Sequence, residues 1–165
     1  MLHIYTGDGK GKTTAAIGLS LRAAAAGKRV LFFQFLKSDT SGERKVLSQI
    51  KNITVFDIGE NIPFLFNADE KKLSELKTLY KKKTDLFFEQ KSRFDVFIFD
   101  EAVCALDCGL IETNDILRFT DFGEVVLTGR GNIDKLKEHA EYITCMKKIK
   151  HPYDSGISAR EGIEY

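Results

Sequence analysis

A chain of 165 residues, 43% hydrophobic and 30% charged, is about one domain long and can bury a core without disulfides or metals. Its 25 Lys and Arg nearly balance its 24 Asp and Glu, so a formal charge of +1 gives no electrostatic case for nucleic-acid binding. Cys104, Cys108 and Cys145 lack zinc-site spacing, and no apolar run approaches the roughly 20 residues that span a bilayer, so a cytoplasmic protein with reduced thiols and no membrane partner is expected.

Leu2 to Tyr5 reads as the first strand, followed by a glycine-rich turn and an alanine-rich helix from about Lys12 to Ala26 that Gly27 stops. Val30 to Phe35 is a second strand, apolar except for Gln34, as when both faces are covered. Ile53 to Ile58 is a third. Ala68 to Ser92 reads as a long charged helix with Leu73, Leu76, Tyr80 and Phe87 near one face. Val96 to Phe99 is a short buried strand ending in Asp100-Glu101. Cys104 and Cys108, four apart, are expected to pack on one helix face. Glu124 to Leu127 is another strand, leading into TGRG and a helix to about His139, and Tyr142 to Met146 is a candidate last strand. This alternation predicts an α/β fold with a mostly parallel central sheet flanked by helices, as one domain over 1–165. Gly59 to Asn67 and His151 to Tyr165 have no regular period and read as loops.

The decisive motif is TGDGKGKTT, Thr6 to Thr14, between a predicted strand and a predicted helix. Gly7, Gly9 and Gly11 allow backbone N–H groups to turn inward around phosphate oxygens, and the helix aims its positive end at the same anion. In such a phosphate-binding loop Lys12 would reach the terminal phosphates and the Thr13 hydroxyl would ligate Mg²⁺. The usual first glycine is Thr6 here, with Gly7 one residue later. Phe97-Ile98-Phe99-Asp100-Glu101 delivers two carboxylates to the strand end where parallel sheets bind ligands. One of them is a candidate to hold Mg²⁺ opposite Thr13, directly or through water; the alternative is two solvated acids at a helix start. Arg130, between glycines at the same edge, suits a phosphate or ribose, or is an ordinary surface arginine. Gln34, Lys37 and Arg22 read individually as structural. Lys81-Lys82-Lys83 reads as a solvated helix face, and His3 and His151 lack metal-ligand spacing.

Taken in order, TGDGKGKTTAA, LRAAAAGKRV, QFLK with Gly42-Glu43, FDEA, TGRG and the closing KHPYDSGISAREGIEY resemble the ATP:corrinoid adenosyltransferase family over nearly the whole chain. The closing stretch discriminates best, since generic P-loop proteins have no reason to share it. The resemblance implies a RecA-like P-loop NTPase fold, a homodimer, and transfer of the 5′-deoxyadenosyl group of ATP to Co(I) of a reduced corrinoid, with triphosphate leaving. It also implies Mg²⁺ or Mn²⁺ and an electron-donor flavoprotein that supplies Co(I). By motif position the nucleotide site would comprise Thr6, Gly7, Asp8, Gly9, Lys10, Gly11, Lys12, Thr13, Thr14 and Arg130. Lys12 and Thr13 would be the main electrostatic catalysts, with Glu101 and Asp100 joining Thr13 at the metal. Better-known members contact the lower corrinoid face with a phenylalanine and a tryptophan. This chain has no tryptophan, and Phe64 or Phe66 stands as the candidate. It also begins at the first strand, without the N-terminal extension that helps cover the site in those members. The rival readings are a P-loop ATPase or small-molecule kinase, which would release ADP, and a nucleotide-binding module without turnover; the closing stretch favours the transferase.

Overall fold

The inner strands over Val30–Gln34, Val96–Asp100 and Glu124–Thr128 are apolar runs covered on both faces, whereas the edge strand Tyr142–Cys145 is exposed. The computed structural model describes residues 1–37, 41–57 and 69–164. Its strands are β1 (Leu2–Thr6), β2 (Val30–Gln34), β3 (Ile53–Phe56), β4 (Val96–Asp100), β5 (Glu124–Thr128) and β6 (Tyr142–Cys145). They form one sheet in the order β3-β2-β4-β5-β1-β6, with every pairing parallel, so all strands deliver their C-terminal ends to one edge. This is the α/β architecture that the alternating pattern predicts.

Side-chain parity divides the core into two layers. Val30, Phe32, Val96, Ile98 and Val126 face α1 (Lys12–Ala25) and α2 (Gly42–Leu47), meeting Ala16, Ala24 and Leu47. Leu31, Phe33, Phe97, Phe99, Val125 and Leu127 form the opposite layer with α3 (Glu70–Glu89), α4 (Ala102–Asp107), α5 (Thr113–Leu117) and α6 (Asp134–Lys137). The buried stripe of α1 is Lys12, Ala16, Ser20 and Ala24, spaced by four, so the packing that seats the helix also turns Lys12 toward the sheet. Gly27, at φ 79°, stops this helix as expected, with its N–H bonded to the Ala24 carbonyl at 3.0 Å.

Several boundaries differ from the sequence reading for local reasons. The Asp69 side chain accepts a hydrogen bond from the Lys72 N–H at 2.8 Å, so α3 starts one residue beyond that cap. It ends at Glu89, with a 3₁₀ turn over Lys91–Arg93. The helix after TGRG is only four residues long, and α2 and α5 are too short to show a period. Cys108 is exposed, so it does not pack against the core as its spacing from Cys104 implies. Lys81 pairs with Asp85 and Asp115 on the outer face of α3, in keeping with a solvated stripe. Among the described residues no helix is long and apolar enough to cross a membrane.

Tyr80 of α3 ties the aromatic layer to the sheet edge. It is fully buried against Phe33 and Phe35, and its hydroxyl accepts the Leu36 N–H at 2.9 Å. Leu36 sits at φ 58°, so this bond steadies a left-handed turn immediately after β2. Tyr80→Phe is expected to cost about 1–2 kcal/mol by leaving that N–H unpaired, lowering the melting temperature by roughly 2–8 °C. Burial also pushes the Tyr80 phenol from 10.0 up to about 12. A raised folded-state value means that its contribution is present below pH 10 and is lost as pH climbs through about 12. The difference between wild-type and Tyr80→Phe phenolate titrations should show this late ionisation; an ordinary midpoint would contradict the burial.

Candidate functional site

The same parity that sorts the core places a polar cluster above it. Gln34 continues the face of Val30 and Phe32, Asp100 that of Val96 and Ile98, and Thr128 that of Val126. Three polar ends therefore meet on the α1 side of the C-terminal edge, beside Lys12 and Thr13 of its first turn. Asp100 is completely buried. Its Oδ1 accepts the Thr128 hydroxyl at 2.5 Å, and its Oδ2 accepts Gln34 Nε2 at 3.1 Å and Lys37 Nζ at 2.8 Å. Lys37 Nζ also donates to Thr13 Oγ1 at 3.2 Å and lies 3.8 Å from Glu43 Oε1.

Glu101 follows in the left-handed region at φ 57°, a conformation that costs a non-glycine residue free energy and clusters at functional sites. Its N–H donates to Thr128 Oγ1 at 2.9 Å, so one hydroxyl fixes both acids. Burial, then the neighbouring Asp100 charge, pushes the Glu101 carboxyl above its usual range, opposed by Lys37, Lys12 and Arg130. Two carboxylates and the Thr13 hydroxyl on one rim are hard oxygen donors that fit a divalent cation. Among the described residues no three His, Cys, Asp or Glu side chains form a ready cage, so a metal here would complete its shell with phosphate oxygens and water.

The glycine-rich loop is shaped by the chain that leaves β6. A Cβ on Gly7 would lie 2.4 Å from the Met146 carbonyl oxygen, and one on Gly9 2.7 Å from it. The Gly9 N–H donates to that same oxygen at 2.7 Å, so it is turned to the chain rather than inward as the motif predicts. Gly11, at φ 114°, caps α1. Lys12 is folded back, donating at 2.7 Å to each of the Gly7 and Gly9 carbonyls. Burial, followed by repulsion from Arg130, lowers its pKa. Thr6 is buried at the end of β1, whereas Asp8, Lys10 and Thr14 are exposed.

Two further segments border the loop. Arg130 reaches the Asp8 carbonyl at 3.2 Å, and the TGRG turn is seated by Gly129, where a Cβ would meet the Cys104 nitrogen at 2.9 Å. The Lys148 N–H binds the Asp8 carboxylate at 2.9 Å and holds its pKa below the usual range. Glu164, held down to about 2 mainly by Arg160, lies 3.8 Å from Lys10. The structure thus gathers Lys12, Thr13, Asp100, Glu101 and Arg130 around one opening. Phe64 and Phe66 lie outside the described residues. Sequence reasoning read Gln34 and Lys37 as structural and gave Glu43 and Thr128 no role in the site, although a glutamine ending an apolar strand was a usable signal. A separate cleft of about 660 Å³, lined by Lys77, Asp107, Asn114, Asn132 and Lys135 among others, includes none of the glycine-loop residues.

The sequence profile of the ATP:corrinoid adenosyltransferase BtuR/CobO/CobP family matches residues 1–165. A corrinoid adenosyltransferase of Sinorhizobium sp is 30% identical, over all of this chain and 80% of the relative. One of Pseudomonas aeruginosa is 28% identical over all of this chain and 83% of its own length. One of Escherichia coli K12 is 26% identical over all of this chain and 85% of its own.

Thr128→Val should expose how much the paired acids depend on one hydroxyl. It removes a donor from buried Asp100 and an acceptor from the Glu101 N–H, a loss of roughly 1–3 kcal/mol. The denaturation midpoint should fall with an unchanged slope, and Thr128→Ser should recover most of the loss. A Thr128→Val midpoint equal to wild type would show that these bonds contribute nothing.

Proposed function

Because this chain belongs to the ATP:corrinoid adenosyltransferase family, we propose that it transfers the 5′-deoxyadenosyl group of ATP to the cobalt of a reduced corrinoid. The observation that carries the reading is a glycine-rich loop closed over Lys12 and facing the two carboxylates at the end of β4, with no activated nucleophile beside them among the described residues. Cys104 is a thiol close enough to feel the Glu101 charge, and burial followed by that charge raises its pKa, which disfavours the nucleophilic thiolate.

A Co(I) acceptor needs no protein nucleophile. Its lone pair attacks C5′, the Co–C5′ bond forms, and the C5′–O5′ bond breaks with its electrons leaving on triphosphate; cobalt ends as Co(III). The protein aligns C5′ and stabilises the departing charge. Lys12 leaves the Gly7 and Gly9 carbonyls for the phosphates, and Gly9, Gly11, Lys10, Thr14, Asp8 and Arg130 complete the nucleotide site. Thr13, Glu101 and Asp100 would hold Mg²⁺ or Mn²⁺, whose chemistry is to neutralise polyphosphate charge. Phe64 and Phe66 are the proposed contacts to the lower corrinoid face. By family likeness the protein works as a cytoplasmic homodimer with an electron-donor flavoprotein that reduces the corrinoid cobalt to Co(I), and serves adenosylcobalamin biosynthesis or salvage.

The test is an anaerobic reaction with ATP, Mg²⁺ and chemically reduced cobalamin, following the corrinoid spectrum and the nucleotide products together. A light-sensitive adenosyl-cobalt species with an equal amount of triphosphate is expected; ADP as product would overturn the transfer. Lys12→Ala should keep the fold and lose roughly a hundred-fold or more in turnover, since its charge is wanted where negative charge accumulates. Near-normal turnover would remove Lys12 from the mechanism.

A further inference from the structure

Lys37 stands where the chemistry asks for a metal. Its ammonium is enclosed by Thr13 Oγ1, Asp100 Oδ2 and Glu43 Oε1, at 3.2, 2.8 and 3.8 Å. One hydroxyl and two carboxylates are the hard oxygen donors that a divalent cation prefers, and the Thr13 hydroxyl is spent on the ammonium instead. We propose that Lys37 is the resident cation of this site: it fills the divalent-cation position while the site holds no polyphosphate, and moves to the polyphosphate when metal enters with it.

Three observations support an exchange rather than a permanent ion pair. A carboxylate with no exposed surface requires a cation in every state of the site, and Lys37 is the charged group bonded to Asp100 in this one. An ammonium and a divalent ion bonded to the same Oδ2 would stand within a few ångströms of each other, where their repulsion excludes joint occupancy. The Lys37 side chain is 29% exposed, so it has an open route out, while the turn behind it is held by the bond from the Leu36 N–H to Tyr80. The flexible lysine stem then moves the charge without moving the backbone. Metal would therefore bind poorly by itself and well in company with polyphosphate, which supplies a new partner for Lys37.

The inference rests on reading this edge as a metal–polyphosphate site and is independent of the corrinoid acceptor. Mn²⁺ binding, followed by electron paramagnetic resonance without nucleotide, should be weak in the wild type and at least ten-fold tighter in Lys37→Met. The gain should vanish in Lys37→Met/Asp100→Asn, and Lys37→Arg should behave like the wild type. Adding inorganic tripolyphosphate to the wild type should bring in Mn²⁺ directly. No gain in Lys37→Met, or a gain that survives Asp100→Asn, would overturn the role of Lys37. A wild type that takes up no Mn²⁺ with tripolyphosphate would overturn the metal site itself, and the exchange with it. Should Lys37→Met not fold, Lys37→Gln takes its place, with the same gain in nucleotide-free Mn²⁺ affinity expected. An affinity equal to wild type in that variant would overturn the exchange.

Discussion

The buried carboxylate of Asp100 is the constraint on which the edge of this sheet is built. No part of it reaches water, so every bond it makes must come from the protein or from a ligand. Strand register supplies two of them. On β2, Gln34 is directly opposite Asp100 of β4; on β5, Thr128 follows Leu127, which pairs with Phe99 of β4. Moving either register by one residue would turn its polar group into the aromatic layer and leave the acid without a donor. The third bond comes from Lys37, placed by the left-handed turn that Tyr80 steadies. Core packing and site assembly are thus one arrangement: the ring that fills the space beside Phe33 and Phe35 also sets the reach of the lysine.

The glycine-rich loop obeys a second constraint, which comes from the other side of the sheet. β6 pairs with β1, and the chain that leaves it passes so near the loop that side chains at Gly7 and Gly9 would collide with the Met146 carbonyl. These glycines therefore serve close backbone approach. The same chain hands the Lys148 N–H to Asp8 and, farther on, brings Glu164 near Lys10. The C-terminal segment is largely exposed, so it gains little by burial; within it Lys148 pairs with Asp154 and Arg160 with Glu164, and the Asp8 and Lys10 contacts reach the loop. A segment that contributes so little to the core and still braces the glycine-rich loop gives the closing sequence a structural role beside that loop.

Much of this was legible in the sequence because the relevant signals are local. TGDGKGKTT states its own turn chemistry, and the apolar runs before it and before Asp100-Glu101 identify buried parallel strands. Gly27 stops α1 where expected. What could not be read depends on register or on brevity. Lys37 and Glu43 are ordinary charged residues until the pairing of β2 with β4 brings Gln34 opposite Asp100, and α2, which carries Glu43, has only six residues. The spacing of Cys104 and Cys108 predicted a shared buried face, but α4 ends at Asp107 and leaves Cys108 in solvent. The inward turn of the Gly9 N–H was misjudged for a similar reason, because its partner, the Met146 carbonyl, lies just past a strand far along the chain.

Charge at the opening explains why these parts belong together. Lys12, Lys37 and Arg130 converge there, and Lys12 shows the strain of that convergence: burial and the Arg130 charge both disfavour its protonated form, while Glu101 and Asp8 only partly offset them. Its ammonium settles on two backbone carbonyls, which are weaker partners for a cation than an ionised oxygen. On the opposite rim, burial and Asp100 make Glu101 reluctant to carry its charge. A polyphosphate with a divalent cation answers both discomforts at once, giving Lys12 and Arg130 anionic partners and the paired acids a positive one. On the proposed reading these are substitutes, carbonyls for phosphate and an ammonium for metal. Selectivity for the combined ligand would then follow, because either component alone would repair only half of the imbalance.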